Sequence, residues 1–536
     1  MINNKLKFII LFFCFAASLS GCSGYGIDVR NRPLPTVKAP VPDTPSALPF
    51  YVVGNVIDSE AGNTISATIR FFEAGEPSTN VVNLDGEPIT ELVSSGSAFN
   101  FAFAEGAELS DLTMLASAEG YISNSVLIIV NDTTEPIDAI IALVRLDETK
   151  VAVGEIAATA ANGQLTAPLS VVASAEFGSA TVEINTDVVL QDADGNAITN
   201  TNIELRVITA DLVPSLGKVS AADLIPEGAN ELSTNDVLVP AGYMTVEMFA
   251  DGIKIRNFSE DISLTLNLPN TYEMVDDTTV QTGDTFNVSS YDEDTGKWVL
   301  ETEPAIVGNA NEFTLPANFV TKHLTGFLLS ENQSVCSSPI SYNFTGDAVP
   351  TSGLYVKLSA PTISKRKLVK TSQGNLYNSA AAAKLGFAAD TIGDVIISDA
   401  SANVWGNVED ISLCGTISAD LTSPIGLITE TLIVTYTCSN AEVDQNVAFP
   451  LTGALIRYAK ENEAESATTE SNISGSYPLS GLEVDALYNV SIIPIGVNIG
   501  TQTLSVIADG ENETYNVVRD NCALEEREVP TGGTSG

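Results

Sequence analysis

Along most of the chain, short apolar runs alternate with Gly, Asp, Asn and Pro at intervals that suit antiparallel strands, as at 52–57, 68–72, 98–104 and 126–130. Helical periodicity is scarce. One helix is predicted over 375–387, where the alanines at 380–383 carry the propensity. A chain of 536 residues is too long for one core. The pattern therefore predicts an all-β protein of tandem antiparallel β-sandwich domains. Their expected bounds are 50–148, 149–334, a disulfide-containing β domain at 335–445, and a last sandwich with a short tail at 446–536.

The first 49 residues follow a different pattern. Lys5 and Lys7 precede an apolar run from 8 to about 17, and Leu19-Ser20-Gly21-Cys22 follows. The run is too short to span a bilayer, and 1–21 is expected to be a signal peptide. Its last four residues resemble the lipobox of bacterial lipoproteins. That resemblance implies a diacylglyceryl thioether on Cys22, palmitate or a similar acyl chain on the new N-terminus, and attachment to the membrane through lipid. Ser23 rather than Asp implies the outer membrane by the enterobacterial sorting rule. Residues 22–49 hold Pro33, Pro35, Pro40, Pro42, Pro45 and Pro49, the composition of a semi-rigid tether.

Charge narrows the partners. With 24 basic against 68 acidic residues the formal net charge is −44, a field that repels phosphate, so nucleic acid is excluded as a partner. An unidentified envelope protein or glycan is expected instead. Against this background 348–389 stands apart, with no acid and with Lys357, Lys365, Arg366, Lys367, Lys370 and Lys384. A solvated basic hairpin is the expected form. The alternatives are an acidic partner, lipopolysaccharide phosphates, or the acidic face of a neighbouring domain.

With Cys14 in the leader and Cys22 lipidated, Cys336, Cys414, Cys438 and Cys522 remain, an even set that argues for two disulfides in an oxidising compartment. Three pairings exist. Strands at 411–419 and 431–439, turning at Ser423-Pro424-Ile425-Gly426, predict Cys414 with Cys438 and therefore Cys336 with Cys522.

Gly54-Asn55-Val56-Ile57-Asp58, Ala67-Thr68-Ile69, Gly96-Ser97-Ala98-Phe99-Asn100-Phe101 and Leu115-Ala116-Ser117-Ala118-Glu119-Gly120-Tyr121 together resemble the carboxypeptidase regulatory-like family. The resemblance implies a small transthyretin-like sandwich serving as spacer or interaction module. Some members are grouped under carbohydrate-binding-like folds. Leu451-Thr452-Gly453-Ala454-Leu455-Ile456, Gly475-Ser476-Tyr477-Pro478-Leu479-Ser480-Gly481-Leu482 and Tyr488-Asn489-Val490 look like a second copy. A sandwich of one type at both ends suits a stalk or scaffold.

Lys322-His323-Leu324-Thr325-Gly326-Phe327-Leu328 resembles the closing strands of sandwiches in netrin receptors and death-domain adaptors, and the self-cleavage site of adhesion receptors. The resemblance implies attack of the Thr325 hydroxyl on the Leu324 carbonyl with His323 as base. The plainer expectation is an edge or closing strand in which His323, Thr325 and Phe327 share one face and Leu324 and Leu328 the other.

Other catalytic signatures are few. The single histidine excludes a standard Zn-His site, and neither a Gly-x-Ser-x-Gly elbow nor a phosphate loop occurs. No metal or cofactor is expected. Calcium at Asp192-Ala193-Asp194-Gly195-Asn196 is the one alternative, set against a hairpin turn. Trp298 and Trp405 are expected to anchor cores rather than stack on sugars. The expected function is an outer-membrane-anchored scaffold that binds envelope partners. The alternatives are self-cleavage at Leu324–Thr325 and a carbohydrate-binding surface module.

Overall fold

The computed structural model describes residues 36–41, 50–94, 98–108, 110–130, 136–147, 149–213, 218–232, 236–350, 352–400, 402–424, 426–442, 447–461, 463, 465–469, 474–495, 499–520 and 522–528. The chain divides into two compact units. The larger comprises 42–437 and 448–519, and the smaller comprises 1–41, 438–447 and 520–536.

The larger unit holds four sandwiches. In the first, one sheet contains Thr68–Glu73 between Leu112–Ser117 and Glu76–Pro77, and the other contains Tyr51–Asp58 between Ala98–Phe103 and Ile137–Arg145. The last of these pairs is parallel. Val52, Ile69, Phe71, Phe101, Met114 and Ile141 fill the space between the sheets. Gly54 has a positional reason: a Cβ there would lie 2.3 Å from the Ala139 carbonyl oxygen and 2.5 Å from the Phe99 ring.

The second sandwich, 152–334, is a 14-stranded hydrogen-bonded sheet, 11 strands in one path and three paired off it, folded onto itself. Thr285–Asp292 joins its two faces. It pairs with Gly326–Ser334 through 287–291 and with Ala305–Val307 through 285 and 286. Period-2 burial runs through its strands, as in Leu169–Ser174, where inward and outward residues alternate without exception.

The third sandwich has Gln373–Tyr377, Ile340–Gly346 and Thr416–Leu421 in one sheet, and Ile363–Val369, Leu354–Ala360, Ile392–Ser398 and Val404–Ser412 in the other. The helix expected over 375–387 is shorter, Ser379–Lys384. Its predicted first residues extend instead as a strand beside Ile340–Gly346. Asn378 then caps the helix by accepting from the Ala381 N–H at 2.8 Å.

In the fourth sandwich Leu427–Cys438 pairs with Ser476–Glu483, Phe449–Pro450 and Glu513–Arg519, facing a sheet of Ser466–Thr469, Ala454–Ala459, Leu487–Pro494 and Gln502–Ile507. The expected boundary at 445 therefore falls inside a sandwich. Its Leu427–Cys438 strand takes partners that follow it in sequence, and the third sandwich closes at Leu421.

The sandwiches are fused rather than merely consecutive. Tyr51, Val53, Val82, Leu84 and Ala102 of the first form one buried cluster with Leu455 and Ile495 of the fourth. Asn55 seals that contact, donating to the Glu465 carbonyl at 3.2 Å and accepting from its N–H at 3.0 Å. A second cluster joins Val144 of the first sandwich to Tyr243, Tyr291 and Trp298 of the second through Val219, Leu224 and Ala229. The smaller unit contains the antiparallel pair Thr36–Pro40 with Leu524–Glu528 and one disulfide.

Candidate functional site

Cys22 lies outside the described residues, as do the leader and most of the proline-rich tether. The four remaining cysteines form two disulfides, Cys336–Cys414 and Cys438–Cys522. This corrects the predicted pairing of Cys414 with Cys438. The hairpin it required does not form, because Thr416–Leu421 runs parallel to Ile340–Gly346 and so carries Cys414 to Cys336, just before that strand. The strand Leu427–Cys438 joins the next sandwich, where Glu513–Arg519 is its neighbour. In the smaller unit Ser439 donates to Asp520 at 2.9 Å, and Asn440 binds the Cys522 carbonyl and N–H beside the second disulfide.

His323 ends the strand Thr314–His323, and Leu324 and Thr325 occupy the break before Gly326–Ser334. The expected alternation fails here: Leu324 and Phe327, an odd number of positions apart, both enter the second sandwich's main core, while Leu328 enters the neighbouring cluster. Backbone pairing pins the break on both sides. The Leu324 N–H donates to the Arg256 carbonyl at 2.9 Å, and the Thr325 carbonyl accepts from the Val246 N–H at 3.1 Å. Gly326 is required because a Cβ would lie 2.3 Å from the Tyr243 hydroxyl. Burial pushes that phenol well above its usual range.

His323 Nε2 donates to Glu301 Oε1 at 3.1 Å, and the Ser290 hydroxyl donates to the same oxygen at 2.5 Å. The histidine bond, opposed by burial and aided by Ser290, holds the Glu301 carboxyl below its ordinary value. Thr325 is 4% exposed, and its hydroxyl has no hydrogen-bond partner among the described residues. Neither Leu324 nor Thr325 has positive φ, and their peptide bond is trans.

The Asp192 loop is a hairpin turn. Asp192 Oδ1 accepts from the N–H groups of Asp194 and Asn196 at 3.0 and 2.8 Å, and Gly195 supplies φ +79°. Those bonds, Asn196 first, hold the Asp192 carboxyl below its usual range. Among the described residues no group of three or more His, Cys, Asp or Glu could hold a metal ion. Trp298 and Trp405 are buried, their indole N–H groups donating to the Glu227 carbonyl and to Asp399. Neither is available to stack on a sugar.

The basic island is not a solvated hairpin. Lys365 binds Glu227 at 2.5 Å, Lys370 approaches Asp138 at 3.6 Å, and Lys384 pairs with Asp111, so half of its cations reach acids outside the third sandwich. The acidic face of a neighbouring module is therefore what it meets. Sequence reasoning had no signal for Glu227, one acid among 68, although it also accepts from the Leu127 N–H at 2.7 Å and so touches three parts of the fold.

No family model and no curated protein matches the chain. Among solved structures it is similar to the TIE protein of Bacillus anthracis at 10% identity and TM-score 0.13, covering 79% of this chain but 56% of that one. The minor pilin GBS52 of Streptococcus agalactiae matches at 11% identity and TM-score 0.15, over 37% of this chain and 100% of the pilin. Two B repeat units of the collagen-binding protein of Staphylococcus aureus match at 12% identity and TM-score 0.12, over 87% and 98%. The β-sandwich architecture of this chain rests on its own sheets.

Proposed function

We propose that the protein is a lipid-anchored scaffold of the bacterial outer membrane that holds fused β-sandwiches together as a binding surface for envelope proteins or glycans. The observation that carries the scaffold is the sharing of buried apolar clusters between sandwiches, above all the one joining the first to the fourth. Separate modules on flexible linkers would leave those faces solvated. The anchor is supported by Leu19-Ser20-Gly21-Cys22, and Ser23 supports the outer membrane as the destination. The carboxypeptidase regulatory-like motifs at the two ends support a spacer and interaction role. Expression of the full chain in a Gram-negative host tests the anchor. An acylated Cys22 in the outer-membrane fraction is expected, with Cys22→Ser released as soluble protein. An unacylated wild type in the soluble fraction would remove it.

A second reading, self-cleavage between Leu324 and Thr325, is supported by the buried Thr325 hydroxyl, without a hydrogen-bond partner among the described residues, two positions from the chain's single histidine. The hydroxyl would add to the Leu324 carbonyl carbon while His323 accepts its proton. The C–N bond would then break to give an ester and a free Thr325 amine, and water would hydrolyse the ester. Denaturing mass analysis tests it: a fragment starting at Thr325, absent from Thr325→Ala, is the expected product. A single intact mass in the wild type rules it out.

A further inference from the structure

A cleft of about 600 Å³ lies where the first and third sandwiches meet the helical segment 218–232. That volume falls in the range of small-ligand sites. One wall is the hairpin of Leu354–Ala360 and Ile363–Val369. On its outer strand Lys365, Arg366 and Lys367 follow one another, and Lys357 is the cross-strand neighbour of Arg366. Among the described residues this strand pairs on one side only, and Ser364, Lys365, Arg366 and Lys367 line the cleft. The facing wall comes from 124–129 and 137–142 of the first sandwich.

The acids on these walls are already engaged. Glu227 holds Lys365, Asp138 holds Lys370, and Asp223 accepts from the Ser220 N–H at 3.3 Å. Three cations are not matched in this way. Among the described residues no carboxylate pairs with Lys357, Arg366 or Lys367. Arg366 stands 4.3 Å from the centroid of the Tyr355 ring; Lys367 stands 5.0 Å from that of Tyr377 and donates to the Leu376 carbonyl. Burial pushes both below their usual values, which means that each would gain from a negative partner. In a chain of net charge −44, three cations left without acids at one cleft call for a ligand that brings the acid.

We propose that this cleft binds a short acidic oligosaccharide, with Lys357, Arg366 and Lys367 taking its carboxylates and Tyr377 and Asn375 its hydroxyls. A sugar suits the walls better than an acidic peptide. Asp138, Asp223 and Glu227 are interspersed among the cations and retain lone pairs for hydroxyl donors, which a sugar carries on every ring and an acidic peptide of glutamates lacks. Arg366 offers a planar fork matched to a carboxylate, and Tyr355 behind it fixes the plane.

The assignment deepens the scaffold reading and rests on it only in that the ligand is bound and not turned over. Isothermal titration of the purified full chain with tetragalacturonate tests it. One saturable site is expected, weakened about tenfold, or ~1.4 kcal/mol, by Lys357→Gln or Arg366→Gln. Lys357 is exposed, so its variant keeps the wild-type unfolding midpoint and remains informative if Arg366→Gln does not fold. Maltotetraose is expected not to bind, and tetraglutamate to bind more weakly. No saturation by about 1 mM ligand, or unchanged affinity in Lys357→Gln, would overturn the proposal. Equal binding of maltotetraose would remove the role of the cations, and equal binding of tetraglutamate would remove the sugar. Acylation at Cys22 is measured separately, so a silent titration of an acylated protein sinks the sugar site and leaves the anchor standing.

Discussion

The second and third sandwiches solve the same problem with different means. Among the described residues the second packs 36 buried apolar residues between its faces, and it contains no cysteine. The third has 20, and one of them is Cys336, bonded to Cys414 across 78 residues of sequence. Folding entropy scales with chain length while burial grows faster, so a small core is left nearer to zero net stability and gains most from a cross-link. The third sandwich also leans outward. Three of its cations are tied to acids of other segments, and Ile129 of the first sandwich packs on its core.

The sharpest way to break this comparison is to remove the staple. Cys336→Ser with Cys414→Ser is expected to cost about 4 kcal/mol in urea unfolding of the third sandwich, from the length of the closed loop. Near-UV signals of Tyr291 and Trp298 in the second should persist at denaturant concentrations where Trp405 is already exposed. Coincident loss of both would show that the two sandwiches do not differ in this way. Next in size is Leu264→Ala, a fully buried change in the second sandwich that is expected to cost about 3 kcal/mol there. A cost below about 1 kcal/mol would mean that its large core is loosely packed.

Lys365→Met probes the outward dependence of the third sandwich. It leaves Glu227 without its cation in a site where both side chains are mostly covered, 14% and 15% exposed. A loss of about 1–2 kcal/mol is expected, less than for a fully buried pair because some solvent reaches it. Faster amide exchange at 363–369 would locate the effect; unchanged exchange would contradict it.

The smallest effects are pH-dependent and opposite in sign within the first sandwich. Burial alone would raise the Asp58 carboxyl, but the Ala61 and Glu60 N–H groups, Tyr121 and Arg145 hold it below 3.8. Its stabilisation is therefore complete above pH 3.8 and is lost as pH falls through the lower folded value. Asp138 is raised by burial, which Lys370 only partly opposes. Its penalty is present above the raised value and is relieved as pH falls towards 3.8. Asp58→Asn should thus lose stability at neutral pH and flatten the acid limb. Asp138→Asn should gain stability at neutral pH and lose the relief on acidification. Thermal midpoints measured between neutral pH and about pH 3 check both, and parallel profiles for the two variants would contradict the assigned environments.

Much of the fold was legible because it depends on local alternation. The strands at 52–57, 68–72 and 98–104 are where short apolar runs between turn residues predict them. The errors came where distant partners decide. A helix was overextended at 375–377 because the strand Ile340–Gly346 recruits those residues. The kink at Leu324–Gly326 was missed because Arg256, Val246 and Tyr243 impose it from other strands. Gly326 was the one local hint, a glycine inside an apolar run.

By itself the sequence determined the all-β class and an even set of disulfide-forming cysteines, since strand periodicity, turn chemistry and cysteine parity are properties of short stretches. It also marked the acid-free island. Only the tertiary structure decided which cysteines meet, that the first and fourth sandwiches share a core, and that the island's cations divide into those held by Glu227, Asp138 and Asp111 and those left facing a cleft. The physical reason is common to all three. Strand pairing and side-chain burial reward contacts between residues far apart in sequence, and nothing in a strand's own composition states which edge or face it will meet.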